Sequence, residues 1–156
     1  MCIGSLGVEA DVIAERAHIA GGESVRIIGR LWNSRGVGID ASHFTMVLPP
    51  GWSAASVTPE DAPLGLDVPG LEREIHYDVT VPTDAPPTTP YWLAEPHDRY
   101  RYTIPRDSFA CEPFGSTAVG LECELLLDEH RLTLRRPALK REPFAVGYRE
   151  LPLSVL

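Results

Sequence analysis

The sequence predicts an all-β fold, and three observations support this class. Short segments in which apolar and polar residues alternate recur along the 156-residue chain, and a period of two is the pattern of a β-strand with one buried and one wet face. Fifteen prolines and thirteen glycines separate these segments, which favours short strands joined by turns. Beyond one ambiguous segment at residues 8–20, no stretch has a period that predicts a helix.

The clearest strand begins at Ile75. One of its sides is apolar and the other polar; the first holds Ile75, Tyr77, Val79 and Val81, and the second holds His76, Asp78 and Thr80. Pro82 ends the strand, the run Asp84-Ala85-Pro86-Pro87 forces a turn, and Pro90 leads into Tyr91-Trp92-Leu93 as the next apolar segment. A strand, a proline-rich turn and a second, aromatic strand predict the edge of a sandwich.

Two interpretations of residues 8–20 stay open. Alternation places Val8, Ala10, Val12 and Ala14 on one side of a strand. An Ala-rich helix that ends at Gly21 would instead align Val8, Val12 and Ile19. We favour the strand, because the segments that follow are β and need a first partner.

The remaining strands repeat the two-residue period. Trp52 follows Pro49-Pro50-Gly51, and we expect its rings to fold over the open end of the sandwich. A short strand near residues 55–57 and a hairpin at residues 128–131 are predicted, and Pro152 confines the last strand to an edge or a bulge. The inward rows are Val25, Ile27, Gly29 and Leu31; Phe44, Met46 and Leu48; Leu121, Cys123, Leu125 and Leu127; Leu132 and Leu134; and Leu151, Leu153 and Val155. About eight short strands at this spacing predict an antiparallel immunoglobulin-like β-sandwich.

The size and charge of the chain limit its functions. A single domain of 156 residues can bury a substantial core. The formal net charge of -8 disfavours nucleic acid, because phosphate binding needs clustered Lys and Arg, and acidic residues flank the locally basic run from Arg131 to Arg141. No apolar run reaches the length of a membrane span, and the N-terminus lacks an export-signal pattern.

The cysteines and histidines predict no metal site. Cys2, Cys111 and Cys123 lack metal-binding spacing; a Cys111–Cys123 bridge stays open, but we favour buried free thiols. A zinc site needs three or four convergent ligands, whereas the histidines are scattered singly, at His18, His43, His76, His97 and His130. We therefore expect neither a metal nor another cofactor.

The sequence also lacks the motifs of common catalytic sites. No Gly-x-Ser-x-Gly elbow occurs, and Ser116 after Gly115 fits a turn. Glu122 and Glu124 share one face of a strand and resemble a carboxylate pair, but catalytic pairs normally come from separate strands across a cleft. Gly36-Val37-Gly38 lacks the further glycine, the lysine and the helix of a phosphate loop. We predict a protein without catalytic residues.

One region is a candidate ligand-binding site. Sugar and peptide sites often combine aromatic faces with side chains that hydrogen-bond hydroxyls, in loops at one end of a sandwich. Alternatively, the first two aromatic residues belong to the core and the charged run is a solvated loop neutralised by Asp98. The candidate residues are Tyr91, Trp92, His97, Arg99, Tyr100 and Tyr102.

The span from Gly21 to Leu93 carries a series of turn-and-strand motifs. They are Ala20-Gly21-Gly22-Glu23-Ser24-Val25, Leu31-Trp32-Asn33-Ser34, Leu48-Pro49-Pro50-Gly51-Trp52 and Val79-Thr80-Val81-Pro82-Thr83-Asp84-Ala85-Pro86. This span resembles the NPCBM-associated (α-galactosidase-associated) β-sandwich domains of sugar-active enzymes. The motifs imply architecture rather than chemistry.

The second half carries further motifs. They are Pro86-Pro87-Thr88-Thr89-Pro90-Tyr91-Trp92-Leu93, a Tyr-rich loop, Arg136-Pro137 and Gly147-Tyr148-Arg149-Glu150-Leu151-Pro152-Leu153-Ser154-Val155. These resemble the accessory region of large bacterial PIG-L (LmbE-like) deacetylases, in which a separate zinc-dependent α/β domain removes N-acetyl groups from sugars. The Ala-His-Pro-Asp-Asp and His-x-x-His motifs of that domain are missing. Pro96-His97-Asp98 resembles them only superficially.

The two resemblances imply a non-catalytic accessory domain over residues 1–156, with a core at 21–93 that strands at 118–156 continue. It would be a fragment of a longer polypeptide, and it would position a neighbouring domain or hold the enzyme near a carbohydrate. The alternatives are a carbohydrate-binding module that uses residues 91–102, and a self-assembly or adhesion module that pairs through edges near Leu151–Leu156. The compartment would follow the parent protein, extracytoplasmic if the parent is exported and cytoplasmic otherwise.

Overall fold

The predicted all-β class is confirmed by the structure. The structure is a computed structural model that describes residues 7–57, 69–93, 96, 98–101, 119–127 and 129–156, except the side chains of residues 39–42 and 91. Within these residues the chain forms eleven strands, one 3-10 turn and no α-helix, compared with the predicted number of about eight strands. The strands are β1 (Val8–Ala14), β2 (His18–Ile19), β3 (Ser24–Asn33), β4 (Ile39–Val47), β5 (Ser53–Ser56), β6 (Leu71–Thr80), β7 (Gly120–Leu127), β8 (His130–Pro137), β9 (Leu139–Phe144), β10 (Gly147–Pro152) and β11 (Ser154–Val155).

Six strands form the larger sheet, in the order β10-β9-β1-β3-β6-β5. Its central strand, β3, pairs antiparallel with β1 on one side and with β6 on the other. The ambiguous segment near the N-terminus is therefore a strand, as we favoured. β1 and β9 run parallel and share one register pair, Ile13 with Leu139. β10 lies at an edge of this sheet, which confirms the position predicted from Pro152.

Three strands form the smaller sheet, in the order β4-β7-β8, and all its pairs are antiparallel. β7 and β8 form the predicted hairpin. The register between β4 and β7 shifts between Asp40 and His43, which marks a bulge or irregularity. A third sheet pairs the short strands β2 and β11 in parallel, so that Leu153 and Val155 are buried near the core.

Buried side chains of the larger and smaller sheets together form the hydrophobic core. Alternation turns the apolar row of β3 inward, where Val25, Ile27 and Leu31 are fully buried. Leu121 and Cys123 of β7 belong to the same two clusters of buried side chains. Trp52 is half-buried and packs against the core, as its position after a strand end predicts.

Three features differ from the sequence-based expectation. The predicted last strand, with its row Leu151, Leu153 and Val155, is divided, because β10 ends at Pro152 and β11 begins at Ser154 in another sheet. Tyr91–Leu93 forms a 3-10 turn instead of an aromatic return strand, and the amide of Leu93 donates to the carbonyl of Pro90 at 2.8 Å. This local hydrogen bond engages the Leu93 amide, which in a strand would pair with a neighbouring strand. β9 was not predicted, because its burial shows no two-residue alternation.

Gly29→Ala is expected to destabilise the protein by about 1–3 kcal/mol, the usual cost of overpacking a core. A Cβ atom at this position would lie 2.5 Å from Leu121 Cδ2 and 3.0 Å from Ile75 Cγ1, so both side chains would have to move. The measurement is the free energy of urea unfolding. Gly38→Ala is the matched control, because a Cβ there meets nothing within 4 Å; equal stability of the two variants would contradict the close approach.

Cys123 is a free, buried thiol, which agrees with the interpretation favoured for this residue. It lies in a cluster with Leu31, Leu125 and Leu134. Burial raises the pKa of this thiol to about 11, and the thiolate is the reactive form. Cys2 and Cys111 lie outside the described residues.

Cys123 should therefore resist alkylation while the protein is folded. In a variant with Cys2→Ser and Cys111→Ser, iodoacetamide should label Cys123 at a rate limited by unfolding, as followed by intact mass. The same variant in guanidinium should be labelled at the rate of a free thiol. Fast labelling without denaturant would contradict the burial of the sulfur.

Candidate functional site

The predicted site at residues 91–102 is partly described by the structure. The backbone of Tyr91 and the half-buried Trp92 lie in the 3-10 turn. Arg99 and Tyr100 follow in an exposed bend. His97, Tyr102 and the side chain of Tyr91 lie outside the described residues.

Tyr100 presents its ring to solvent. The ring is 82% exposed, and the guanidinium carbon of Arg99 lies 5.7 Å from its centroid, within the range of a cation–π contact. Asp98 Oδ1 accepts hydrogen bonds from the amides of Tyr100 and Arg101, both at 2.7 Å. This turn is of the type that Asp favours. Among the candidate residues, the structure therefore brings Arg99 and Tyr100 together on a loop that Asp98 braces.

Paired charges cover the outward face of the larger sheet. Asp11 accepts two hydrogen bonds from Arg141, at 2.8 and 2.9 Å, and Arg141 Nε donates to Glu150 at 3.0 Å. Arg26 binds both carboxylate oxygens of Asp78, at 2.8 and 2.9 Å. An open cavity of about 380 Å³ runs beside this last pair.

Glu74 joins two partners on the same outward face. Arg30 Nε donates to Glu74 Oε2 at 2.7 Å, and His76 Nε2 lies 2.8 Å from Glu74 Oε1. The hydrogen bond from His76, followed by that from Arg30, lowers the pKa of Glu74 below its ordinary value, against the opposing effect of burial. Arg26 lowers the pKa of Asp78 in the same way. These carboxylates are ionised partners in a cross-strand lattice.

The outward face of the smaller sheet has a different arrangement, and we call it the small-sheet face. His43 of β4, Glu124 of β7 and Thr133 of β8 lie in one cross-strand row. The next row holds Thr45, Glu122 and Arg135. A shallow cavity of about 180 Å³ is lined by His43, Glu124, Leu125, Leu126 and Arg131.

The ion pair described on the small-sheet face is long and exposed. It joins Arg131 Nη1 and Glu124 Oε2 at 3.7 Å, and the Arg131 side chain is 74% exposed. Glu122 and Arg135 lie directly opposite each other but form no ion pair in the described part of the chain. The sequence places Glu122 and Glu124 on one face but does not reveal their neighbours on β4 and β8. Polar residues at alternate positions of β4, His43 and Thr45, are the signal that marks its wet side.

No group of three or more potential metal ligands is found among the described residues. The same residues contain no helix that is long and apolar enough to cross a membrane.

Glu74→Gln should weaken the acid dependence of stability. Because the folded-state pKa of Glu74 lies below its ordinary value of 4.5, its contacts stabilise the fold above that pH and are lost as the pH falls through the folded-state pKa. Glutamine cannot be protonated there, so the unfolding free energy should fall less steeply below pH 4.5. At neutral pH the loss should not exceed about 1 kcal/mol, because the pair is partly exposed.

Urea unfolding at a series of pH values measures this slope. Glu129→Gln is the matched control, since this exposed turn carboxylate forms no ion pair within the described residues. Equal slopes for the two variants would show that the contacts of Glu74 do not contribute to acid stability.

No protein-family model matches this chain, and the searches of curated proteins and of solved structures give no significant match. The resemblance to the accessory region of PIG-L-type deacetylases stays a prediction from the quoted motifs.

Proposed function

We propose that this chain is a non-catalytic accessory domain of a carbohydrate-active enzyme of the PIG-L deacetylase type. It positions a neighbouring domain of the same polypeptide or holds the enzyme near a carbohydrate. The observation that carries the proposal is the resemblance of the turn-and-strand motifs at residues 20–93 and 136–155. The larger sheet agrees with a structural role, because its outward arginines are paired with carboxylates across strands at 2.7–3.1 Å.

The electrostatics of these groups support a structural role. A general acid needs a pKa near the operating pH, whereas the pKa values of Glu74 and Asp78 are lowered by their partners. A cysteine nucleophile needs an accessible thiolate, whereas burial raises the pKa of Cys123 to about 11. Each of these groups is therefore suited to stabilising the fold rather than to proton transfer or nucleophilic attack.

The arrangement of the sheets supports an immunoglobulin-like β-sandwich as the type of domain. Buried residues of the larger and smaller sheets share a common core, as expected for two sheets packed face to face. The paired strands β2 and β11 contribute Ile19 and Val155 to that core. We assign the six-stranded and three-stranded sheets as the two layers.

Turnover assays on the isolated chain test the non-catalytic role. With N-acetylated amino sugars and aryl glycosides as substrates, we expect no product above the buffer rate, with or without added zinc. The separate zinc-dependent domain of a deacetylase is the positive control. Turnover that a chelator abolishes would refute the proposal.

A carbohydrate-binding module is the second candidate, and the exposed ring of Tyr100 favours it. This ring offers an apolar face beside the Arg99 guanidinium, and such pairs can stack on sugar C–H surfaces while donating hydrogen bonds to hydroxyls. Trp92→Ala and Tyr100→Ala should each lower binding to a glycan array. Tyr148→Ala is the control, since that ring is 74% exposed elsewhere; undiminished binding by folded Trp92→Ala and Tyr100→Ala variants would remove this candidate.

A self-assembly or adhesion module is the third candidate, and the β9–β10 hairpin favours it. Phe144, Val146 and Tyr148 are 64%, 93% and 74% exposed there, and β10 is an edge strand. The sequence suggested pairing through an edge near Leu151–Leu156. Ser154–Val155 already pairs with β2, so within this region the free edge belongs to β10. Light scattering should then give a mass that increases with concentration, and a monomer at high concentration would contradict it.

A further inference from the structure

The tip of the β9–β10 hairpin groups exposed apolar side chains within a few residues of the chain. Phe144, Val146 and Tyr148 are 64%, 93% and 74% exposed. Single exposed apolar side chains are normal on a protein surface, whereas a contiguous group of them marks a site of interaction. The hairpin tip is therefore a part of the described surface that would gain from an apolar partner.

This hairpin projects past the end of its neighbouring strand. β9 shares one register pair with β1, at Leu139, and then continues with β10 as its partner to the row of Phe144 and Gly147. A Cβ atom on Gly147 would meet nothing within 4 Å. The last rows and the turn thus form a two-stranded ribbon that extends from the larger sheet into solvent.

Apolar side chains occupy both faces of the ribbon and its apex. Opposite residues of an antiparallel pair point to the same face, and successive residues of a strand point to opposite faces. Tyr148 lies opposite Pro143, one row from Phe144, so the two aromatic rings point to opposite faces. Val146 lies in the turn that joins the strands. A partner that buries all three side chains must therefore surround the tip instead of covering one face.

Paired charges form a collar below this tip. Arg149 Nη2 binds Glu142 Oε2 at 2.8 Å in one row, and Arg141 Nε binds Glu150 Oε1 at 3.0 Å in the next. The charges of the two rows cancel. From the Arg149–Glu142 row to the apex is about three strand steps, or roughly 10 Å, so the apolar segment is short and has a polar boundary.

We propose that the β9–β10 hairpin tip inserts into the interfacial layer of a zwitterionic phospholipid bilayer. Interfacial segments bury their apolar side chains to a depth of about 5–10 Å, which matches the length of this tip. A fluid lipid layer encloses both faces of a ribbon, whereas a second copy that pairs with the edge of β10 covers one side. The proposal goes beyond the accessory role and does not depend on it.

The polar groups of the hairpin fit the same depth. A tyrosine ring places its apolar body in the interface and its hydroxyl among the headgroups, as the position of Tyr148 next to the collar requires. The neutral collar then lies at the level of headgroups that are themselves neutral. An anionic surface fits less well, because it repels a chain whose formal net charge is -8.

Sedimentation with phosphatidylcholine vesicles tests the insertion. The native chain should bind, and the bound fraction should change little with added salt, since burial of apolar side chains is not screened. Val146→Asp should lower the partition coefficient at least about tenfold. Leu126→Asp is the matched control, because it adds the same charge at a leucine of the smaller sheet that is 42% exposed, and it should bind like the native chain.

Folding of the variants is checked by their urea midpoints, which should match that of the native chain. Phe144→Ser, with a similar expected loss, replaces Val146→Asp if that variant fails. In phosphatidylcholine bicelles, the amides of residues 144–148 of the ¹⁵N-labelled chain should broaden. Broadening at Arg99, Tyr100 and Arg101 instead would assign the lipid contact to the other exposed aromatic loop and overturn the proposal.

Three further outcomes would overturn it. The first is no binding to phosphatidylcholine vesicles, or equal binding by the two aspartate variants. The second is stronger binding to vesicles that contain phosphatidylserine, lost on addition of salt, which would show a contact driven by charge. The third is a mass that increases with protein concentration in the absence of lipid and that Val146→Asp keeps monomeric, which would assign the tip to a second copy. The accessory role is judged separately, by the turnover assays.

Discussion

The structure depends on the apolar side chains that the larger and smaller sheets bury together. At Gly29 of β3, the side chain of Leu121 from β7 packs so close to the backbone that an added Cβ atom would lie 2.5 Å from Leu121 Cδ2. This packing fixes the register of β3. A slip of one residue would move Arg30 into the core and expose Leu31 to water. The buried layer and the outward polar faces therefore follow from the same constraint.

Strands with one buried and one wet face could be predicted from the sequence, because their alternation reflects burial directly. β3, β6 and β7 are such strands, and their inward rows are buried or half-buried. β9 could not be found in this way, since solvent reaches both its faces and no apolar row remains. For Tyr91–Leu93, three apolar residues match a strand or a turn equally. The hydrogen bond to Pro90 distinguishes the two conformations, and it is a property of the backbone that composition does not encode.

The polar faces were predictable in part. Alternation alone assigns Glu122 and Glu124 to a wet face, but their neighbours depend on pairing with a strand far away in the chain. The register shift between Asp40 and His43 decides that pairing. A regular count from Asp40 would set position 42 opposite Glu124, whereas the shifted register sets His43 there. Bulges of this kind have no sequence signature here, since no glycine or proline lies in β4.

The two outward faces use similar side chains in different arrangements. Both carry arginines and carboxylates on alternating positions, yet those of the larger sheet meet at 2.7–3.0 Å and those of the smaller sheet approach to 3.7 Å. A short bidentate pair, such as Arg26 with Asp78, satisfies donors and acceptors of both side chains at once. A long, exposed pair, such as Arg131 with Glu124, leaves most of those groups to water and adds little stability. The contribution of a charged sheet face to the fold thus depends on the geometry of its pairs rather than on the number of its charges.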